Sequence, residues 1–250
     1  MAERLQKYLA RLGVGSRREV ESWIREGHVF VNGEVAILGC QVDHDSKIVV
    51  NGKIIDQLPN HARYPRVLMY HKPQSEICTR VDPAGRPTVF QNLPHLVDSR
   101  WVSVGRLDVN SEGLLLFTTD GDLANKMMHP KYGLERQYLC RIYGKVSKQN
   151  IEQLKSGIIL DNKKCSFKIV RFHSGVSKNQ WYDVVLGEGR YREVRRLWAA
   201  VGCTVSRLIR IRYGSIKLPK NLKVGKFQEL STIEVAKLLE FSTQSEQLND

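Results

Sequence analysis

Asp108 stands in Gly105-Arg106-Leu107-Asp108-Val109-Asn110-Ser111-Glu112-Gly113, just before the apolar run Leu114-Leu115-Leu116-Phe117. Turn-formers on both sides place the carboxylate on a loop. A buried strand directly after it can hold such a loop rigid enough to present one reactive group. Arg106 can grip a phosphate or favour the ionised carboxylate. The plainer alternative is an Asp bonded to its own backbone in a turn. Glu112 is the only nearby carboxylate that could complete an acid/base pair of the glycosidase kind. Such a pair needs a separation of about 5–10 Å, which loop spacing does not establish.

A second set of candidates lies in Gly187-Glu188-Gly189-Arg190-Tyr191-Arg192-Glu193-Val194-Arg195-Arg196-Leu197-Trp198. The glycines let the backbone approach a ligand before a helix begins. Arg192 and Arg196 share a helical face at i, i+4, with Arg195 beside them. Guanidinium groups suit bidentate phosphate or carboxylate contacts. Arg207, Arg210 and Arg212 recur on the strand-like stretch that follows, ending at Tyr213. Arginines beside aromatics suggest an RNA-facing surface; the alternative is a solvated basic face. Tyr138 could stack on a base or pack in the core. Lys7, Arg17 and Arg18 gather near the start of the chain, the two arginines at a helix opening, where phosphates are attracted.

The charge distribution agrees with a polyanionic partner. The 250-residue chain carries a net +13. Residues 1–60 hold eight Lys/Arg and eight Asp/Glu, whereas residues 186–226 hold eleven Lys/Arg against Glu188 and Glu193, a net +9. Such a cluster suggests nucleic acid. No run approaches roughly 18 apolar residues, so no membrane span is expected. The start MAERLQKYLARLG has no apolar core of a secretory signal. Five scattered cysteines, with no C-x-x-C and no H-E-x-x-H, read as reduced thiols of a cytoplasmic protein without a metal site. The absence of a sustained heptad pattern predicts a monomer.

The elements that must position these residues are legible in outline. Leu5, Tyr8, Leu9 and Leu12 share one helical face. Ser16-Arg17-Arg18-Glu19 has the form of a capping box opening a second helix, with Val20, Trp23 and Ile24 inward and Gly27 closing it. Asn32-Gly33 and Asn51-Gly52 signal hairpin turns. Residues 56–66 are polar and contain proline, as linkers are. Beyond them, strands are predicted at 67–70, 114–118, 138–143 and 181–186. A helix is predicted at 119–129, and another carries Val194, Leu197, Trp198 and Val201 inward. Residues 205–230 return to strand-like material, and Ser231-Thr232-Ile233-Glu234 caps a last helix. The expectation is an α+β chain: a small domain over 1–56, a linker over 57–66, a larger domain over 67–241 with a mixed, mainly antiparallel sheet flanked by helices, and a disordered tail over 242–250.

GRLD followed by GLLLFTTDGDLA resembles the catalytic signature of the pseudouridine synthases, in the branch that modifies ribosomal RNA. Residues 70–90, 104–130 and 189–219 are similar to that branch throughout, and residues 2–55 resemble the S-four-type RNA-binding domain that precedes its catalytic domain. Asn110-Ser111-Glu112 departs conservatively from the Thr-Ser or Thr-Cys expected before the glycine. The resemblance implies isomerisation of a uridine in large-subunit ribosomal RNA, held in a stem-loop or bulge, to pseudouridine. A small-subunit site and a non-catalytic ribosome-assembly protein on the same fold are the alternatives. It implies that Asp108 is the essential carboxylate, acting on the sugar or the base or assisting loss of the base. The uracil is then detached, rotated and rejoined through carbon 5, with no cofactor. Arg106 matches the residue that replaces the flipped nucleotide or grips its phosphate. Tyr138 matches the tyrosine against the uracil. Arg195 matches the basic partner of the aspartate, with Arg192 and Arg196 next in line. Lys7, Arg17, Arg18, Arg190, Arg207 and Arg210 are expected along the RNA.

Overall fold

A computed structural model of the chain describes residues 2–43, 45–55, 65–97, 99–176 and 178–247. All but the last two residues of the predicted linker, and the last three residues of the chain, lie outside that set. The chain divides into two compact units: Met1–Pro65 with Pro94–Val102 and Thr119–Gly121, and Arg66–Leu93 with Ser103–Thr118 and Asp122–Asp250.

In the first unit, α1 (Leu5–Arg11) and α2 (Arg17–Arg25) accompany β1 (Val29–Val31), β2 (Glu34–Val35), β3 (Ile48–Val50) and β4 (Lys53–Ile55), paired in the order β2-β1-β3-β4. The capping box is present: Glu19 N donates to Ser16 Oγ at 3.2 Å, and Ser16 N donates to the Glu19 carboxylate at 2.6 Å. Asn32 and Gly33 turn β1 into β2 at φ 53° and 90°, the positive pair that a tight hairpin requires. Leu5, Leu9, Val20, Ile24, Val29, Ile48 and Val50 fill the core between the helices and the sheet, and Trp23 packs against it.

The second unit is built on a nine-stranded sheet. Its elements are β5 (Val67–Lys72), β6 (Glu112–Thr118), α3 (Gly121–Met128), β7 (Arg136–Tyr143), α4 (Lys148–Ser156), β8 (Ile169–Val176), β9 (Asn179–Leu186), α5 (Glu193–Ala200), β10 (Thr204–Tyr213), β11 (Phe227–Glu229) and α6 (Thr232–Gln247). The main path runs β8-β9-β7-β10-β6-β5-β11. Only β6 and β10 pair in parallel along it; every other pair is antiparallel. All seven residues of β6 are buried, as expected of a strand covered on both faces. Gly113 makes the parallel pairing possible. Its φ is +108°, and a Cβ there would lie 2.6 Å from Arg210 N. Helix α5 turns Val194, Leu197 and Trp198 inward, and Trp198 packs against Phe167 and Tyr182.

Several elements depart from the sequence reading. Strand β5 continues past Tyr70 to Lys72 and carries that lysine into the interior. Helix α4 and strand β8 were not anticipated. Leu154 is the one buried side chain of α4, and β8 is an edge strand with a single buried position, so neither shows a clear apolar period. Helix α6 runs on to Gln247, into the segment expected to be disordered, because nothing in Ser242-Thr243-Gln244-Ser245-Glu246-Gln247 stops a helix as Gly or Pro would.

Candidate active site

A cleft of about 350 Å³ opens in the second unit, within the size range of small-ligand sites. Its floor is one face of the sheet: Leu186 from β9, Arg136 and Tyr138 from β7, and Leu208, Arg210 and Tyr213 from β10. One wall is the loop Gly105–Asp108 with Ser111, and the other is the segment Gly189–Val194 that enters α5.

The Asp108 loop is braced from below. Ser111 N donates to Asp108 O at 3.0 Å and closes the turn. Lys72, completely buried, donates from Nζ to the carbonyls of Pro73 (2.8 Å), Ser111 (2.9 Å) and Asp108 (3.2 Å). Burial pulls the Lys72 pKa below its ordinary value, while neighbouring acidic groups act to raise it. Cys78 meets the same loop, its Sγ lying 3.4 Å from Leu107 N and 3.3 Å from Leu107 O. The backbone of Asp108 thus makes the turn. Its carboxylate accepts no hydrogen bond among the described residues and borders the cleft.

The guanidinium within ion-pair distance of that carboxylate is that of Arg192, with Nη1 3.9 Å from Oδ2. The sequence reading put Arg195 in this place, with Arg192 next in line. Arg192 caps α5 at φ 48°, an uncommon conformation for a non-glycine residue, which sets its side chain in the cleft wall. One turn further into the helix, Arg195 spends Nη1 on Val205 O (2.7 Å) and Nη2 on Asn110 O (2.9 Å). Burial, then Arg192, holds the Arg195 guanidinium below its usual pKa, and Asp108 partly opposes this. Arg195 therefore braces the residue at the tip of the Asp108 turn.

The other arginines divide sharply. Arg106 and Arg190 line the cleft, Arg106 exposed and Arg190 bonded to Glu188 at 2.9 Å. Arg196 leaves the cleft for a bidentate pair with Asp161 at 2.7 and 2.8 Å. Arg207, Arg210 and Arg212, expected on one RNA-facing surface, do not share a face. Arg207 and Arg210 are an odd number of residues apart, so they project from opposite faces. A bulge then puts Tyr138 opposite Arg210 but Gln137 opposite Arg212. Arg207 binds the Glu112 carboxylate at 2.9 Å, and Arg212 binds Glu135 at 3.0 Å. Glu112, buried between Arg207 and His71, is thereby removed as an acid/base partner for Asp108. Arg210 is buried on the floor instead of lying along an exposed groove. In the first unit, Arg17 and Arg18 are exposed at the opening of α2 and Lys7 is half-buried on α1.

Several lining residues escaped the sequence reading. Arg136 donates to Tyr213 Oη at 2.8 Å and, at 3.1 Å, to Gly187 O, tying the floor to the arginine-rich wall. Glu193 is buried in that wall and accepts from Arg190 N at 3.0 Å; burial raises its pKa. Tyr191 stands exposed at the edge. The one available signal was a charged residue inside an apolar pattern, as at Lys72 in Val67-Leu68-Met69-Tyr70-His71-Lys72.

A mixed sheet with one half-buried carboxylate in an arginine-lined cleft, preceded by a small helix-and-hairpin unit, has the architecture of an RNA-modifying enzyme with an appended binding domain. Residues 66–200 match the model of the RNA pseudouridylate synthase family and residues 3–39 that of the S4 domain; the chain belongs to the RNA pseudouridylate synthase family. Among curated relatives, "Ribosomal large subunit pseudouridine synthase B" of Pasteurella multocida is 52% identical over 240 residues, covering 95% of this chain and 70% of that protein. The protein of the same name from Escherichia coli K12 is 52% identical over 242 residues, 96% of this chain and 83% of that one. A crystal structure of a pseudouridylate synthase superposes with a TM-score of 0.65 at 27% identity, covering 94% of this chain and 99% of that one.

Proposed function

We propose that this protein isomerises a specific uridine of large-subunit ribosomal RNA to pseudouridine, with Asp108 as the essential carboxylate. The observation that carries the reading is the convergence of Asp108, Arg192 and Tyr138 on one cleft, with the ion pair at 3.9 Å. The names of its relatives supply the substrate class. A uridine in a loop or bulge flips out of its stack at a cost of a few kcal/mol. Arg106, exposed at the cleft, meets the RNA backbone or the place the nucleotide has left. Asp108, flanked by Arg192, acts on the sugar or the base while the glycosidic bond breaks. Tyr138 packs against the freed uracil, which turns and rejoins through carbon 5. Residues 1–56 add a tethered RNA contact to the chemistry of residues 67–241. The protein works as a monomer in the cytoplasm.

Mapping pseudouridine in ribosomal RNA made with and without this protein tests the reading. One large-subunit position should lose its modification in the absence of the protein. Asp108→Asn should restore it at less than about a hundredth of the wild-type rate, on the scale of a lost acid–base group, while binding RNA normally. Equal activity of the two proteins would remove Asp108 from the chemistry, and a small-subunit position would reassign the substrate.

A further inference from the structure

Arg210 is a buried cation without an anion. It is only 3% exposed, on the floor of the cleft. Its Nε donates to Leu114 O at 2.7 Å. Neither Nη1 nor Nη2 has a hydrogen-bond partner among the described residues, and Nη2 is fully buried. No carboxylate among the described residues lies within ion-pair distance. An unpaired buried charge is costly unless something completes it. The guanidinium lies over the Tyr213 ring, its Cζ 5.0 Å from the ring centroid. Tyr138 stands directly opposite on β7, so the two side chains rise side by side from one face of the sheet.

Burial orders the cleft by depth. Tyr191 is 70% exposed and Arg106 is exposed, Asp108 is half-buried, and Tyr138 and Arg210 are buried. A nucleotide entering base first leaves its phosphate beside Arg106 and its glycosidic carbon near Asp108. The edge of the base farthest from the sugar then reaches the floor. In uracil that edge carries O4, an acceptor; cytosine carries an amino donor at the same place.

We propose that Arg210 is the specificity-determining residue of this cleft, donating from its free Nη groups to O4 of the flipped uracil and rejecting cytosine, whose N4 amino group would face it donor to donor. The proposal rests on the uridine-isomerase reading above and adds what the isomerisation itself demands. Uracil presents acceptor, donor and acceptor at O2, N3 and O4. Rotation about the N3–C6 axis exchanges N1 with C5 and O2 with O4, so the same Arg210 donor meets an acceptor before and after the turn. The contact survives the rotation with no rearrangement of protein. Cytosine lacks that symmetry.

The test uses the full-length Asp108→Asn protein, expected to bind with turnover slow enough for equilibrium measurement, and a hairpin RNA carrying the uridine located by mapping. If wild-type protein modifies no uridine, the functional reading fails before this experiment begins. Replacing the target uridine by cytidine or 4-thiouridine should weaken binding roughly 10- to 100-fold, the range of one well-made base-edge contact; 2-thiouridine should leave it unchanged. Adding Arg210→Met, which removes the donors and keeps the length of the side chain, should bring uridine and cytidine to near parity, with affinity for the same hairpin lacking the target base unaltered. Equal losses with 2-thio- and 4-thiouridine, or a uridine preference that persists in Arg210→Met, would overturn the assignment. The thio-substituted RNAs need no change at Arg210, so a misfolded variant leaves the result decisive.

Discussion

At the scale of the residue, two arginines three positions apart have separate jobs. Arg192 holds its charge beside Asp108, and Arg195 holds the turn on which Asp108 stands. Arg192→Ala should cost about 10²- to 10³-fold in kcat, the usual loss when one oriented charge is taken from a reacting centre. KM and the thermal midpoint should hardly move. Arg195→Ala frees the carbonyls of Asn110 and Val205, so kcat and the thermal midpoint should fall together; kinetics and melting curves on the two proteins separate the roles. The sequence already placed Asp108, Arg106, Tyr138 and Arg190 among the candidates, and all four line the cleft. Beside the aspartate it put Arg195 first, with Arg192 and Arg196 next in line. That choice depends on the left-handed turn at Arg192, which sets where α5 begins, and nothing in a run of arginines encodes it.

At the scale of the element, the site depends on one buried lysine and one buried carboxyl. Lys72 satisfies three carbonyls beneath the Asp108 turn, and each buried carbonyl left unpaired costs about 1–3 kcal/mol. Lys72→Met should therefore destabilise the fold by about 2–4 kcal/mol in denaturant titration and lower activity more than the loss of folded protein explains. Glu193 opens α5 from a buried position that raises its pKa. A carboxyl raised in the folded state contributes stability that is complete below its unfolded pKa and is lost as pH rises through the folded value. The thermal midpoint should decline as pH rises above the ordinary glutamate range of about 4.3, and Glu193→Gln should flatten that decline; identical profiles would mean that ionised Glu193 is fully compensated. The secondary elements with strong apolar patterns, α1, α2, β6 and α5, were legible in advance, as was the mixed sheet. Edge strand β8 and the bulge in β10 were not, because register is set by pairing partners distant in sequence. That bulge, together with odd spacing, takes Arg207, Arg210 and Arg212 off the one RNA-facing surface expected of them.

At the scale of the whole molecule, much of the positive charge is already spoken for. Of the eleven cations in residues 186–226, Arg190, Arg196, Arg207 and Arg212 are bonded to carboxylates and Arg210 is buried. Lys217, Lys220, Lys223 and Lys226 remain exposed, their side chains in no hydrogen bond or ion pair among the described residues. These lysines, more than the arginines that dominate the sequence, are free to exchange counterions for phosphates. Each phosphate neutralised releases about 0.7–0.9 counterion, so converting all four lysines to glutamine should make the slope of log affinity against log salt shallower by about 3. The lysines lie outside the cleft lining, so turnover at saturating RNA should persist. Binding measured over a series of salt concentrations decides the matter. An unchanged slope would move the electrostatic footprint to the other exposed arginines, Arg17 and Arg18 of the first unit and Arg106 at the cleft, and would make the net +9 of the segment a property of its folding and not of its grip on RNA.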